Sequence, residues 1–154
     1  MAKKDLSPEE EAERQEIYER LYMEALDEPL EFFIHDTDAF EDDALQDLFD
    51  EGGYDAVGKF WHLAELLARK KGHAYSVVKG YGRLAHDMHM EPDVMERFIQ
   101  DLYARDLIIR ESLDEFKTVR SARIQRNAER SADGKAKARL GAEITHAKRR
   151  ERSA

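Results

Sequence analysis

Residues 54–72 set the terms for the rest of the chain. Val57, Phe60, Trp61, Leu63, Ala64, Leu66, Leu67 and Ala68 recur at helical spacing and cover well over half of a helix circumference. Lys59, His62, Glu65 and Arg69 leave only a narrow wet strip. Such a helix has to be enclosed on several sides, so the flanking segments must fold around it. Gly52, Gly53 and Gly72 bound it, as glycines do just past helix ends.

What can enclose this helix is limited by the remainder of the chain. A length of 154 residues allows one hydrophobic core of moderate size with an appendage. With 38% charged residues and three prolines, the expectation is a mainly helical protein with much helix surface in water. Cysteine is absent, which excludes disulfide frameworks, thiol nucleophiles and zinc-thiolate sites together. No apolar run approaches the roughly 20 residues needed to cross a bilayer. Residues 1–8 lack the apolar centre of a secretion signal, so a soluble, cytoplasmic protein with no membrane partner is expected.

The net charge of -9 conceals a strong asymmetry. Residues 117–154 carry twelve Lys/Arg against four Asp/Glu, whereas residues 1–116 carry thirteen against thirty. Within the acidic body, residues 21–58 hold thirteen carboxylates and no Lys or Arg. An acidic body joined to a basic tail points to charged partners.

In chain order, Ser7, Pro8 and Glu10 form a capping signature that starts a first helix, with Ile17, Tyr18, Leu21, Tyr22, Ala25 and Leu26 on its apolar face. Pro29 ends it. Residues 30–36 should lie extended over the core, and residues 42–51 should form a short helix stopped by Gly52 and Gly53. After the central helix, residues 74–78 have strand character and residues 81–88 form a short helix. Pro92 opens the next helix, whose core face is Val94, Met95, Phe98, Ile99 and Leu102. Residues 107–110 and 116–118 are expected to be two short strands around a polar turn. Helix, strand, helix, helix, hairpin is the order of a winged helix-turn-helix. The fold class expected is therefore mainly α: an extra N-terminal helix in 1–29, a winged-helix domain in 30–118 with a short β-hairpin wing, and a basic tail in 119–154. Gly134 and Gly141 leave that tail either helical or disordered.

The motifs with chemical potential mostly have plainer readings. Gly53, Gly58 and Lys59 nearly spell a phosphate-binding loop, but Phe60 stands where a magnesium-holding hydroxyl is required and no strand precedes it. Asp36, Asp38, Glu41, Asp42 and Asp43 resemble the ligands of a hard cation, yet Glu41 occupies the position where a calcium loop needs glycine. His86 and His89 lack a third ligand nearby. No cofactor site, metal site or catalytic set can be assembled.

For DNA, the presumed recognition helix offers Arg97 and Gln100 to base edges, while Arg69, Lys70, Lys71, Lys79 and Arg83 are placed to hold the backbone. In the tail, Arg120, Arg123, Arg126, Arg130 and Lys137 share an arc of about 120° if one helix continues, and the tail arginines would add a salt-sensitive, sequence-independent contribution. The competing reading takes Asp36, Asp38, Glu41, Asp42, Asp43, Asp47, Asp50 and Glu51 as an acidic face that binds a basic partner or imitates DNA, as an inhibitor of a host nuclease does. Self-association through the tail or the first helix is compatible with either.

Read together, Phe32-Phe33-Ile34-His35-Asp36, Gly53-Tyr54, Phe60-Trp61-His62-Leu63-Ala64-Glu65-Leu66-Leu67 and residues 98–108 resemble the N-terminal winged-helix domain of replication initiation and replisome organiser proteins from phages and mobile elements, which is distantly similar to the primosome protein DnaD. The basic element of residues 121–135 resembles the tail of that family. The usual Tyr-Gly turn is altered here to Gly52-Gly53-Tyr54. The resemblance spans about residues 30–137 and implies a non-enzymatic DNA-binding protein in replication initiation or its control, with DNA and replication proteins as partners.

Overall fold

The computed structural model describes residues 5–154, so the first four residues of the stretch weighed above as a secretion signal lie outside it. The protein is mainly helical, with one small antiparallel sheet. The chain divides into two compact units: Pro29–Ala128 is one, and the segments ending at Glu28 and beginning at Glu129 make the other.

The larger unit is built on helix α2, Asp43–Ala68. Its buried side chains are Leu45, Leu48, Val57, Phe60, Leu63, Ala64, Leu67 and Ala68, which is the several-sided burial that the apolar pattern demands. Burying each large apolar side chain stabilises the fold by about 1.5–3 kcal/mol. The two helices expected on either side of Gly52 and Gly53 run as one element with a kink. Gly53 sits at φ 67°, ψ -161°, a backbone conformation that side chains disfavour. Residues 53–60 are consequently kinked helix rather than a phosphate-cradling loop.

Residues 30–36 have no regular structure and cross to α2, where the Leu30 N–H donates to Ala68 O at 2.8 Å. After α2 the chain turns through Gly72, φ 74°, into strand β1, Tyr75–Ser76. Helices α3, Gly82–Asp87, and α4, Pro92–Ala104, follow at the positions the sequence indicates. Leu84, Ala85, Met95, Phe98, Ile99 and Leu102 from this pair complete the core around Phe60 and Leu67.

The expected hairpin of 107–110 with 116–118 does not form. Arg110–Phe116 is a helix, α5, closed by Lys117 in the left-handed region at φ 50°. The seven residues Arg110–Phe116 contain no β-branched side chain, and good helix formers such as Leu113 and Glu115 favour this outcome. Strand β2, Thr118–Val119, pairs instead with β1, Tyr75 opposite Val119 and Ser76 opposite Thr118. Ile108 makes a single antiparallel bridge to Ser121.

Helix α6, Ala122–Ser153, passes through Gly134 and Gly141 without interruption. Each glycine costs about 1 kcal/mol in a helix interior. Against this stands a buried stripe of Ile124, Ala128, Ala132 and Ala136 at four-residue spacing. The segment expected to be a tail thus begins inside the larger unit, where Val119, Ser121, Ile124 and Ala128 are all buried.

The smaller unit is formed by helix α1, Pro8–Leu26, and the part of α6 after Ala128. Ser7 and Glu10 make the expected reciprocal cap. Leu21 and Ala25 are buried. Tyr18 Oη donates to Asp133 Oδ1 at 2.5 Å, and Glu28 accepts from Lys135 at 3.1 Å and from Arg139 at 2.7 Å. The Arg139 and Lys135 hydrogen bonds hold the Glu28 carboxyl down at about 2.

Candidate nucleic-acid interface

The basic segment grows out of the end of α2. Arg69 caps that helix and is exposed, while Lys70 places Nζ 4.3 Å from the centre of the Tyr75 ring. Tyr75 is buried and donates its hydroxyl to Asp87 Oδ2 at 2.6 Å. Burial, reinforced by Asp87, pushes the phenol up to about 12, and Arg83 acts in the opposite sense. Lys70, just past the end of α2, thus packs on the one tyrosine of β1. Lys71, Lys79 and Arg83 are exposed. Among the described residues neither Lys79 nor Arg83 is paired with a carboxylate.

Helix α4 presents Arg97 and Gln100 to solvent. Arg97 approaches Asp93 at 3.8 Å, both side chains being at least three-quarters exposed, so this contact contributes little. Arg105, at the end of α4, is different. Its side chain is 11% exposed, and the guanidinium bonds to Asp47 at 2.8 Å and to Glu51. Both partners lie on the acidic half of α2.

The first part of α6 revises the expectation for the tail arginines. Arg123 is buried and reaches Asp36 and Asp42, each at 3.4 Å, with its guanidinium 5.6 Å from the Trp61 ring centre. It is occupied by the chain's own carboxylates and is not available to phosphate. Arg120 is half-buried and donates to Gly72 O at 2.7 Å. Arg126 and Arg130 remain exposed, although Arg130 belongs to the smaller unit.

The acidic face is correspondingly reduced. Asp36, Asp42, Asp47 and Glu51 are committed to Arg123 and Arg105, and Asp42 Oδ1 also caps α2 through Ala44 N at 2.9 Å. Asp38, Glu41, Asp43 and Asp50 are exposed and have no charged partner among the described residues. Near them, Phe40, Phe49 and Tyr54 form an edge-to-face row with ring centres 5.2 and 4.8 Å apart.

The aromatic and His-Asp motif has a structural role that its composition did not reveal. Trp61 stacks against His35 at 4.2 Å and Phe33 at 6.1 Å, while Asp36 takes Arg123. Asn127 Oδ1 accepts from Ile34 N at 2.8 Å, securing the same strap. The only signal for Arg123 was its place beside Ile124, a core residue at the start of an otherwise polar helix. No three His, Asp or Glu side chains gather as a metal site among the described residues. No helix among them is long and apolar enough to cross a membrane.

No curated protein and no solved structure matches this chain. A model of the family Lin1244/Lin1753-like, N-terminal, matches residues 32–124, running from the aromatic strap to the residue after Arg123. The match spans more than half the chain, which therefore belongs to the Lin1244/Lin1753-like N-terminal family.

Proposed function

We propose that the protein is a non-enzymatic DNA-binding protein of phage or mobile-element type, acting in replication initiation or its control. Helices α3 and α4 serve as the helix-turn-helix of a winged-helix domain, and the α5 segment between Ile108 and Ser121 stands where a hairpin wing would be. The observation that carries this reading is the cationic segment around β1, in which exposed Arg69, Lys79 and Arg83 have no carboxylate partner among the described residues and Lys70 lies 4.3 Å from the Tyr75 ring centre. These cations hold phosphates, and Arg97 and Gln100 on α4 meet base edges. Arg126 and Arg130 add sequence-independent attraction.

The test is binding of fluorescent duplex and single-stranded DNA between about 50 and 200 mM salt, where log affinity should fall linearly with log salt. Failure to bind either DNA at the lowest salt overturns the reading. Point substitution of Arg126 and Arg130 is the way to test the tail, because truncation near residue 120 would also remove Ile124 and Ala128 from the buried interior.

A second reading is favoured by a separate observation, the Phe40, Phe49 and Tyr54 row beside Asp38, Glu41, Asp43 and Asp50, which have no charged partner among the described residues. An acidic face with an aromatic edge suits a basic protein partner, including a nuclease inhibited by DNA mimicry. Neutralising those four carboxylates would then abolish inhibition of the partner while leaving DNA binding intact.

A further inference from the structure

The sheet ends in an exposed apolar tip. Beyond the Tyr75–Val119 and Ser76–Thr118 pairs, Val77 N–H donates to Lys117 O at 2.8 Å, which brings Val78 and Phe116 out at the same end. Val77 and Val119 are buried, but Val78 is 68% exposed and Phe116 65%. Lys79 follows Val78, and Lys117 follows Phe116 in the left-handed conformation that closes α5. Neither lysine is paired with a carboxylate among the described residues. Of the three carboxylates on α5, Asp114 is engaged by the Tyr103 hydroxyl at 2.7 Å, whereas Glu111, which lines the same groove as Phe116, and Glu115 are exposed.

About two-thirds of the Phe116 ring and of the Val78 isopropyl group is left in water, and each of the two residues is followed in the chain by an exposed lysine. They match the chemistry of DNA, in which apolar base faces lie between rows of phosphates. Proteins that insert apolar side chains between base steps use this combination. We propose that Phe116, supported by Val78, is a wedge that inserts between stacked bases of duplex DNA while Lys79 and Lys117 bind the flanking phosphates. This rests on the DNA-binding reading above and adds an unstacking step to it. Glu111 and Glu115 oppose the approach of phosphate and limit the affinity.

The probe is a duplex carrying 2-aminopurine, whose fluorescence rises when it is unstacked, titrated with the full chain. The unaltered protein is expected to bind and raise the signal. Phe116→Ala should lose the signal and about tenfold in affinity with its salt slope unchanged, while Phe116→Leu retains part of both. Lys79→Ala and Lys117→Ala should each reduce the salt slope by about one. Glu115→Gln should tighten binding. Phe116 is largely exposed, so an unchanged melting curve for Phe116→Ala confirms that folding is intact. Binding without a signal, or wild-type affinity in Phe116→Ala, overturns the wedge and leaves DNA binding standing. Sedimentation in which Phe116→Ala disperses a dimer without altering DNA affinity also overturns it. No binding by the unaltered protein removes both readings.

Discussion

Two stretches of the larger unit, residues 36–55 and residues 69–83, look in the sequence like opposite charges awaiting opposite partners. They differ in what the fold has done with them. Four carboxylates of the first are matched by Arg123 and Arg105, which come from 50 or more residues away. In the second, Lys79 and Arg83 have no acidic partner among the described residues, and Lys70 lies over an aromatic ring. A run of like charge is evidence of a partner only after the chain's own counter-ions are subtracted. That subtraction weakens the acidic face and leaves the basic segment as the stronger claim.

The largest test of this contrast is Arg123→Ala. It leaves Asp36 and Asp42 without their cation and removes the guanidinium from beside Trp61. Losing one partner of a buried pair costs about 3–5 kcal/mol, but Asp36 and Asp42 are partly exposed, so about 2 kcal/mol is expected in urea unfolding. A loss below about 0.5 kcal/mol would mean that the acidic stretch is not held in this way. Arg105→Ala should cost less, about 1 kcal/mol, because Asp47 and Glu51 are each 67% exposed and rehydrate readily. Replacing Asp38, Glu41 and Asp50 by their amides should alter stability by no more than about 0.5 kcal/mol, as expected for surface sites away from such pairs. A large destabilisation there would reveal counter-ions that this account has not assigned.

The smallest effect concerns Tyr75, the residue around which the basic segment is arranged. Its phenol is pushed up to about 12, chiefly by burial and then by the hydrogen bond to Asp87. Below the ordinary phenol value of about 10, folded and unfolded chains both keep this proton and the associated stability is fully present. Between about 10 and 12 the unfolded chain releases the proton first, so stability falls as pH rises through that window. Absorbance titration should show a late phenolate that appears earlier in Asp87→Asn; no difference between the two proteins would remove Asp87 as a cause.

The core of this fold is readable because burial imposes periodicity. The apolar positions of α2 and α4, the breaks at Gly53 and Pro92, and the cap at Ser7 are local signals, and each appears near its indicated place. The hairpin is not legible because Ile108 and Ile109 announce a strand whose partner cannot be found from spacing. The pairing that forms joins Tyr75–Ser76 to Thr118–Val119, more than 40 residues apart. Helix α6 is obscured in the sequence for a related reason. Alanine at every fourth position looks like a polar tail until Ile124, Ala128, Ala132 and Ala136 are seen to be buried. At the candidate interface the residue types were legible but their availability was not. Arg123 and Arg126 are equivalent in the sequence, and only the long-range geometry shows that one serves Asp36 and Asp42 while the other faces solvent.

The most direct measurement is the salt dependence of DNA affinity for three proteins: the unaltered chain, Arg69→Ala/Lys79→Ala/Arg83→Ala, and Asp38→Asn/Glu41→Gln/Asp50→Asn. Each phosphate contact contributes about 0.9 to the slope of log affinity against log salt. The basic triple variant is expected to lose roughly 2–3 units of slope, whereas the acidic triple variant should keep the slope of the unaltered chain. Equal slopes in the unaltered chain and the basic triple variant would contradict the assignment of residues 69–83 to phosphate.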